Sequence, residues 1–225
     1  MNDHRLHRPR QYDLIVFDWD GTLFDSTALI VRSIQAACAD LKVPVPDDSR
    51  AAYVIGMGLQ EAFEHAAPGL APHLYPELTQ RYRQHYFKRQ HELTLFEGVL
   101  GMLQALKQRH HWLAVATGKS RRGLDEALKT VLLRGVFDAT RTADETLPKP
   151  HPRMLEELMA EFGVEPERTL MIGDTTHDLQ LAVNARTASV AVSYGAHEPT
   201  FFQDYGPRFV AHSVRELQQW LDANA

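Results

Sequence analysis

The segment "FDWDGTLFD", Phe17 to Asp25, places three aspartates within eight positions, directly behind the apolar Leu14, Ile15 and Val16. A second acidic pair, Asp174 and Asp178 in "GDTTHD", follows another apolar run, "TLMI". Carboxylates at such positions can act as nucleophiles, as proton carriers or as metal ligands. Asp18, Asp20, Asp174 and Asp178 cannot share one small, partly dry site unless something positive compensates, because like charges raise one another's pKa. A hard divalent cation with oxygen ligands answers that demand. Magnesium prefers one or two protein carboxylates plus water and phosphate oxygens, which suits acids at two strand ends better than a closed cage does. Lys149 in "LPKPHP" offers a further positive charge, and Thr117 in "ATGKS" a hydroxyl.

The elements that must position these groups follow from periodicity. Short apolar runs recur in "YDLIVFD", "WLAVATG", "TLMIGD" and "ASVAVS". Each is followed by a segment of helical spacing, the pattern of parallel strands covered on both faces by crossover helices. The expected core is a doubly wound, Rossmann-like α/β sheet, in which ligands sit at the carboxyl ends of the strands. Asp18, Asp20, Thr117, Asp174 and Asp178 all fall there. Val99, Met102, Leu103 and Leu106 space as one covering helix, His151 to Gly163 as another, and Ser213 to Leu221 as a last amphipathic one. From Ser26 to Thr94 the alternation stops: helical runs at Ser26 to Leu41 and Leu74 to Gln90 come with no buried strand. The division expected is therefore an α/β core of residues 1–25 and 95–225 with an all-helical cap of residues 26–94. The first ten residues are the one candidate for disorder.

Taken together, "DWDGT" at Asp18 to Thr22, Thr117 in "ATGKS", Lys149, and "GDTTHD" from Gly173 to Asp178 resemble the four ordered motifs of the haloacid dehalogenase-like hydrolases. The helical insert resembles the cap of the phosphoglycolate phosphatase and β-phosphoglucomutase branch, so the likeness covers nearly the whole chain from Tyr12. The resemblance implies that Asp18 is a nucleophile forming an aspartyl-phosphate and that Asp20 is the general acid and base. It implies that Thr117 hydrogen-bonds the transferring phosphoryl group and that Lys149 pairs with nucleophile and phosphate. Magnesium would be bound by Asp18, the Asp20 carbonyl and Asp174, with Asp178 in a supporting or alternative place. Gly21, Thr22 and Gly118 lie in the same motifs and are expected against the phosphate, Gly21 because it permits a tight turn. In the insert, Gly56 and Gly58 of "IGMGLQEAF" precede a helix whose free N–H groups can approach an anion. An ordinary helix-connecting turn explains them equally well.

Other readings of the residues are weaker. Asp25 fits the start of the helix opening at Ser26 and is left out of the chemistry. "ATGKS" lacks the glycine spacing of a nucleotide-binding phosphate loop. The basic run Arg81 to His91 reads as a solvated face, Cys38 as a small core residue, and His177 as a helix-surface residue. The histidines show no zinc-binding spacing. A net charge of -5 and a pI near 6.2 argue against nucleic acid. No segment has the length of a signal core or a membrane span, so a cytoplasmic, soluble protein is expected, monomeric or weakly dimeric. The activity expected is a magnesium-dependent phosphatase of small phosphorylated metabolites, with phosphoglycolate the leading candidate. A sugar-phosphate mutase and a non-catalytic phospho-ligand-binding protein are the alternatives. Within the family resemblance, the acid at Asp20 disfavours dehalogenation.

Overall fold

A computed structural model describes residues 11–129, 133 and 135–225. The expected disorder of the first ten residues lies outside that range. Six parallel strands form one sheet in the order β3-β2-β1-β4-β5-β6: β1 (Leu14–Phe17), β2 (Trp112–Thr117), β3 (Ala139–Thr142), β4 (Thr169–Gly173), β5 (Ala188–Val192) and β6 (Val210–Ala211). Leu14 pairs with Trp112 on one side and Thr169 on the other, so the first acidic motif leaves the middle of the sheet between the ends of β2 and β4.

Alternation along the strands explains the two covered faces. Ile15, Phe17, Leu113, Val115, Leu170 and Ile172 point into one cluster. It is closed by α5 (Val99–Gln108), by Leu124 of α6 (Arg121–Lys129) and by α9 (Val214–Asn224). Leu14, Val16, Ala114, Ala116 and Met171 point the other way, against α7 (Arg153–Phe162) and α8 (Thr176–Asn184). The doubly wound α/β expectation is met. The strands missed in the sequence are the marginal ones: β3 is half-buried at the sheet edge, and β6 has two residues.

Between β1 and α5 lie α1 (Thr27–Asp40), α2 (Asp48–Tyr53), α3 (Leu59–Ala66) and α4 (Tyr75–Arg89), with no strand. They share a separate apolar cluster in which Cys38 is fully buried and Ile30, Ile34, Phe63 and Leu78 also sit. The two crossings into this helical region run side by side, since Asp25 N donates to Thr94 O and Phe96 N to Leu23 O. Among the described residues no helix is long and apolar enough to cross a membrane.

Candidate active site

β1 continues its ladder one residue past its end, Asp18 N donating to Ile172 O at 2.8 Å. The chain then turns sharply: Leu23 N and Phe24 N both reach Trp19 O, and Gly21 N reaches Phe24 O. Gly21 has φ +81°, and a Cβ there would lie 2.2 Å from Asp174 Oδ2. The glycine thus serves both the turn and the close approach of β4's terminal acid. Thr22 Oγ1 donates to Asp174 Oδ1 at 2.7 Å, and Ala196 N to Oδ2 at 2.7 Å. Gly21 and Thr22, expected against a phosphate, are placed against the Asp174 carboxylate.

Lys149 is fully buried, and its Nζ donates to Asp18 Oδ1 and Asp178 Oδ1, each at 2.6 Å. Asp178 is fixed by a reciprocal cap at the start of α8: its Oδ2 accepts from Thr175 N and Thr175 Oγ1, while Thr175 Oγ1 also accepts from Asp178 N. The helix-start reading of Asp178 and its place beside Lys149 are therefore both realised. Burial opposes charge on Lys149, but Asp178 and then Asp18 outweigh it, and the ammonium is stabilised. Asp18 is pushed up to about 7, first by burial, against the pull of Lys149 and with repulsion from Asp178 and Asp20. Asp174 is raised by burial and by Asp18 and Asp178.

Oxygens of Asp18, Asp174 and Asp178 lie within 4.8 Å of one another, and Asp18 Oδ2 is buried with no partner. An all-oxygen donor set, excess negative charge and an unanswered carboxylate oxygen fit a hard divalent cation.

Asp20 lies on the other side of Asp18's turn and is held differently. Lys119 Nζ donates to both its oxygens at 2.8 Å, and Ser26 Oγ to Oδ1 at 2.7 Å. Ser26 occupies the N-cap position of α1 but makes no side-chain cap; its hydroxyl serves Asp20 instead. Asp25 precedes the helix, is exposed and does not cap it. Lys119 also donates to Tyr86 Oη of α4 at 3.0 Å, with Nζ 4.8 Å from the ring centroid. Thr117 is buried at the end of β2, and its Oγ1 accepts from Lys119 N. Asp18, Asp20, Thr117 and Gly118 line one cavity with residues of the helical region.

That region is seated tightly on the sheet's carboxyl end. A Cβ on Gly118 would lie 2.5 Å from the carbonyl oxygens of Gly56 and Met57, so Gly118 permits the close approach of the two loops. Gly56, at φ +92°, makes the turn beside Thr175, and Gly58 occupies the N-cap of α3 next to Pro148. His177 and His197 both place Nε2 2.9 Å from Tyr53 O, and the Tyr53 ring stacks on His197. His177 is therefore buried at 6% exposure, not on the helix surface as its position suggested. Burial lowers its pKa, and burial followed by His177 brings His197 down to about 4.

A family model described as haloacid dehalogenase-like hydrolase matches residues 15–192. The chain belongs to the haloacid dehalogenase-like hydrolases. The resemblance carried by the four motifs is thereby borne out, and with it the reading of the chain as a hydrolase. Among relatives in this family, the probable phosphatase IndB of Dickeya dadantii is 32% identical over 211 residues, covering 91% of each chain. A phosphoglycolate phosphatase of Mannheimia succiniciproducens is 29% identical, covering 92% of this chain and 97% of its own. In fold, a hydrolase from Pseudomonas syringae superposes with a TM-score of 0.85 at 22% identity, covering 94% of this chain and 98% of that one.

Within this hydrolase, the sequence reading missed Lys119, Ser26, Tyr86, Tyr53 and His197. Lys119 directly follows Thr117 and Gly118, so its proximity to the motif was a usable signal. Leu78, Tyr82 and Tyr86 recur every fourth residue, an inward stripe that continues into the basic run. The run's outer residues behave as expected, with Arg81 and Arg89 in surface pairs with Glu77 and Glu92.

Proposed function

We propose that this hydrolase is a magnesium-dependent phosphatase of small phosphorylated metabolites, acting in the cytoplasm through an aspartyl-phosphate on Asp18. The observation that carries the reading is the buried Asp18, fixed through one oxygen by Lys149 and unpartnered at the other. Lys149 and its anchor Asp178 hold the carboxylate in place, which is the positioning that phosphoryl transfer chiefly requires. Asp18 attacks phosphorus, forming an O–P bond as the ester P–O bond breaks. Asp20 gives a proton to the departing oxygen, then takes one from the water that cleaves the acyl-phosphate and restores Asp18. Thr117 donates to a phosphoryl oxygen, and Lys149 offsets charge there. Asp18 and Asp174 would hold magnesium together with the Asp20 carbonyl, with Asp178 as a further ligand. When bound, the ion would neutralise charge on the phosphoryl oxygens.

In the same reading, residues 1–25 and 95–225 form the catalytic core and residues 26–94 a cap that excludes water and selects the leaving group. The paired crossings near Asp25 and Thr94, and the cap's own apolar cluster, support that division.

The test is phosphate release from an activated ester such as p-nitrophenyl phosphate. Asp18→Asn should remove essentially all turnover while unfolding at an unchanged or higher temperature, and excess chelator should silence the wild type until magnesium is restored. Substantial turnover by the folded variant, or full activity in chelator, would overturn the nucleophile or the metal respectively.

A further inference from the structure

The cavity that reaches Asp18 and Asp20 runs past Gly118 and Ser120 into an outer groove, and Leu59, Arg83, Gly118 and Ser120 line both spaces. The lysines deeper in the site are already committed, Lys149 to Asp18 and Asp178, and Lys119 to both oxygens of Asp20. Arg83, exposed at the mouth, has no such commitment. Arg81 and Arg89 of the same helix pair with Glu77 and Glu92, whereas Arg83 makes no hydrogen bond or ion pair with any described residue. Glu61 and Glu64 share the outer groove with it without pairing to it. Helical spacing sets Arg83 one turn before Phe87, which also lines the cavity, and next to Tyr82. The Tyr82 ring lies 5.8 Å from that of Tyr86, whose hydroxyl meets the Lys119 ammonium that grips Asp20. Arg83 therefore stands on the Asp20 side of the site, the side toward which a leaving group protonated by Asp20 departs.

We infer that Arg83 is the residue that selects the substrate, pairing with a second anionic group, a carboxylate or a further phosphoryl group, carried by the leaving group. This rests on the phosphatase reading above and deepens it by naming the charge of the leaving group. A second anion inside the cavity would otherwise face Asp18 and Asp20 with both lysines already spent, which opposes its binding. The planar guanidinium offers carboxylate or phosphate oxygens two parallel hydrogen bonds, and it breaks no pair of its own to make them. A neutral leaving group gains nothing from that charge. 2-Phosphoglycolate, the leading candidate from the sequence, meets this requirement.

The test compares 2-phosphoglycolate and pyrophosphate with carbamoylmethyl phosphate, in which a neutral amide of the same shape replaces the carboxylate. p-Nitrophenyl phosphate reports in every protein whether phosphoryl transfer itself proceeds. Wild type should favour one of the two anionic compounds over carbamoylmethyl phosphate in kcat/KM by at least about tenfold. Which one is favoured tells a carboxylate from a phosphoryl partner. Arg83→Gln should remove most of that preference, and Arg83→Lys, which keeps the charge but not the fork, should retain part of it. Comparing the ratio between proteins cancels the intrinsic reactivity of the compounds, and thermal unfolding confirms the fold of each variant. No wild-type preference for either anion, an unchanged preference in folded Arg83→Gln, or turnover of p-nitrophenyl phosphate alone would overturn this inference and leave the phosphatase reading standing. No turnover of any of the four compounds would overturn both.

Discussion

Lys149 and Lys119 each grip an aspartate of the "DWDGT" segment, Lys149 from within the sheet layer and Lys119 from beneath the helical region. Their side chains are 0% and 9% exposed, and in both the ammonium is stabilised because neighbouring acids outweigh the penalty of burial. The difference lies in what else each touches. Lys149 joins Asp18 to Asp178, which is locked by the α8 cap, so every partner belongs to the α/β layers and none to the helical region. Lys119 joins Asp20 to Tyr86 of α4, so it spans the sheet and the helical region. Similar electrostatics thus serve two ends: one pair fixes the Asp18 carboxylate, and the other ties Asp20 to the helical region.

The largest effect should come from Lys149→Met, which leaves Asp18 and Asp178 buried without their cation. A loss of about 3–5 kcal/mol in urea unfolding is expected, with phosphate release abolished. A stable, active variant would erase the contrast between the two lysines. Next is the pH dependence of Asp18, whose pKa of about 7 stands above its ordinary 3.8. The folded state binds this proton more tightly than the unfolded one. Its contribution is fully present below about 3.8 and is lost as pH rises through about 7. His197, brought down to about 4, works in the opposite direction as pH falls from 6.5. The useful quantity is therefore the difference in melting temperature between wild type and Asp18→Asn in chelator. The variant should gain on the wild type by on the order of 5 °C between pH 5 and pH 8. Magnesium should close the gap at pH 8, and a pH-independent gap would contradict the burial of an uncompensated Asp18.

Lys119→Met should cost less, about 1–2 kcal/mol, because Asp20 keeps the Ser26 hydroxyl and lies nearer water. Hydrogen exchange should rise in α4 and stay unchanged in β1 and β4. Equal increases in both places would mean that Lys119 is simply another core fastener.

What was legible in the sequence divides along the same line. Asp18 and Asp174 stand at the ends of apolar runs, so periodicity brings their elements together, whereas Lys149, in a Pro-flanked loop, was singled out by the order of the four motifs. β3 was hidden because, at the sheet edge, its Arg141 extends to Glu157 and Glu161 instead of alternating with apolar residues. Ser26 reads only as the residue where a helix opens, yet its hydroxyl turns to an aspartate six residues earlier. His177 reads as a surface residue of α8 until the helical region seats Tyr53 O upon it. Lys119 and Tyr86 are 33 positions apart, and no local pattern announces that they meet. Groups whose roles depend on one element are readable, whereas groups that connect the helical region to the sheet require tertiary packing to be known.

Tyr86→Phe should have the smallest effect and is the most selective test of the connection. The substitution keeps the ring near Lys119 Nζ and removes the oxygen that accepts its hydrogen bond. Burial raises the Tyr86 pKa, so the native group is a neutral phenol and its removal changes no charge. Lys119 retains both oxygens of Asp20. A stability loss of about 1 kcal/mol or less is therefore expected. The decisive reading is a double-mutant cycle with Lys119→Met. If the hydroxyl acts through the ammonium, the double variant should be less destabilised than the sum of the singles, by at least about 0.5 kcal/mol. Additivity within about 0.3 kcal/mol would show that Tyr86 and Lys119 stabilise the protein independently. Lys119 would then be bound to the sheet alone, and its difference from Lys149 would reduce to depth of burial.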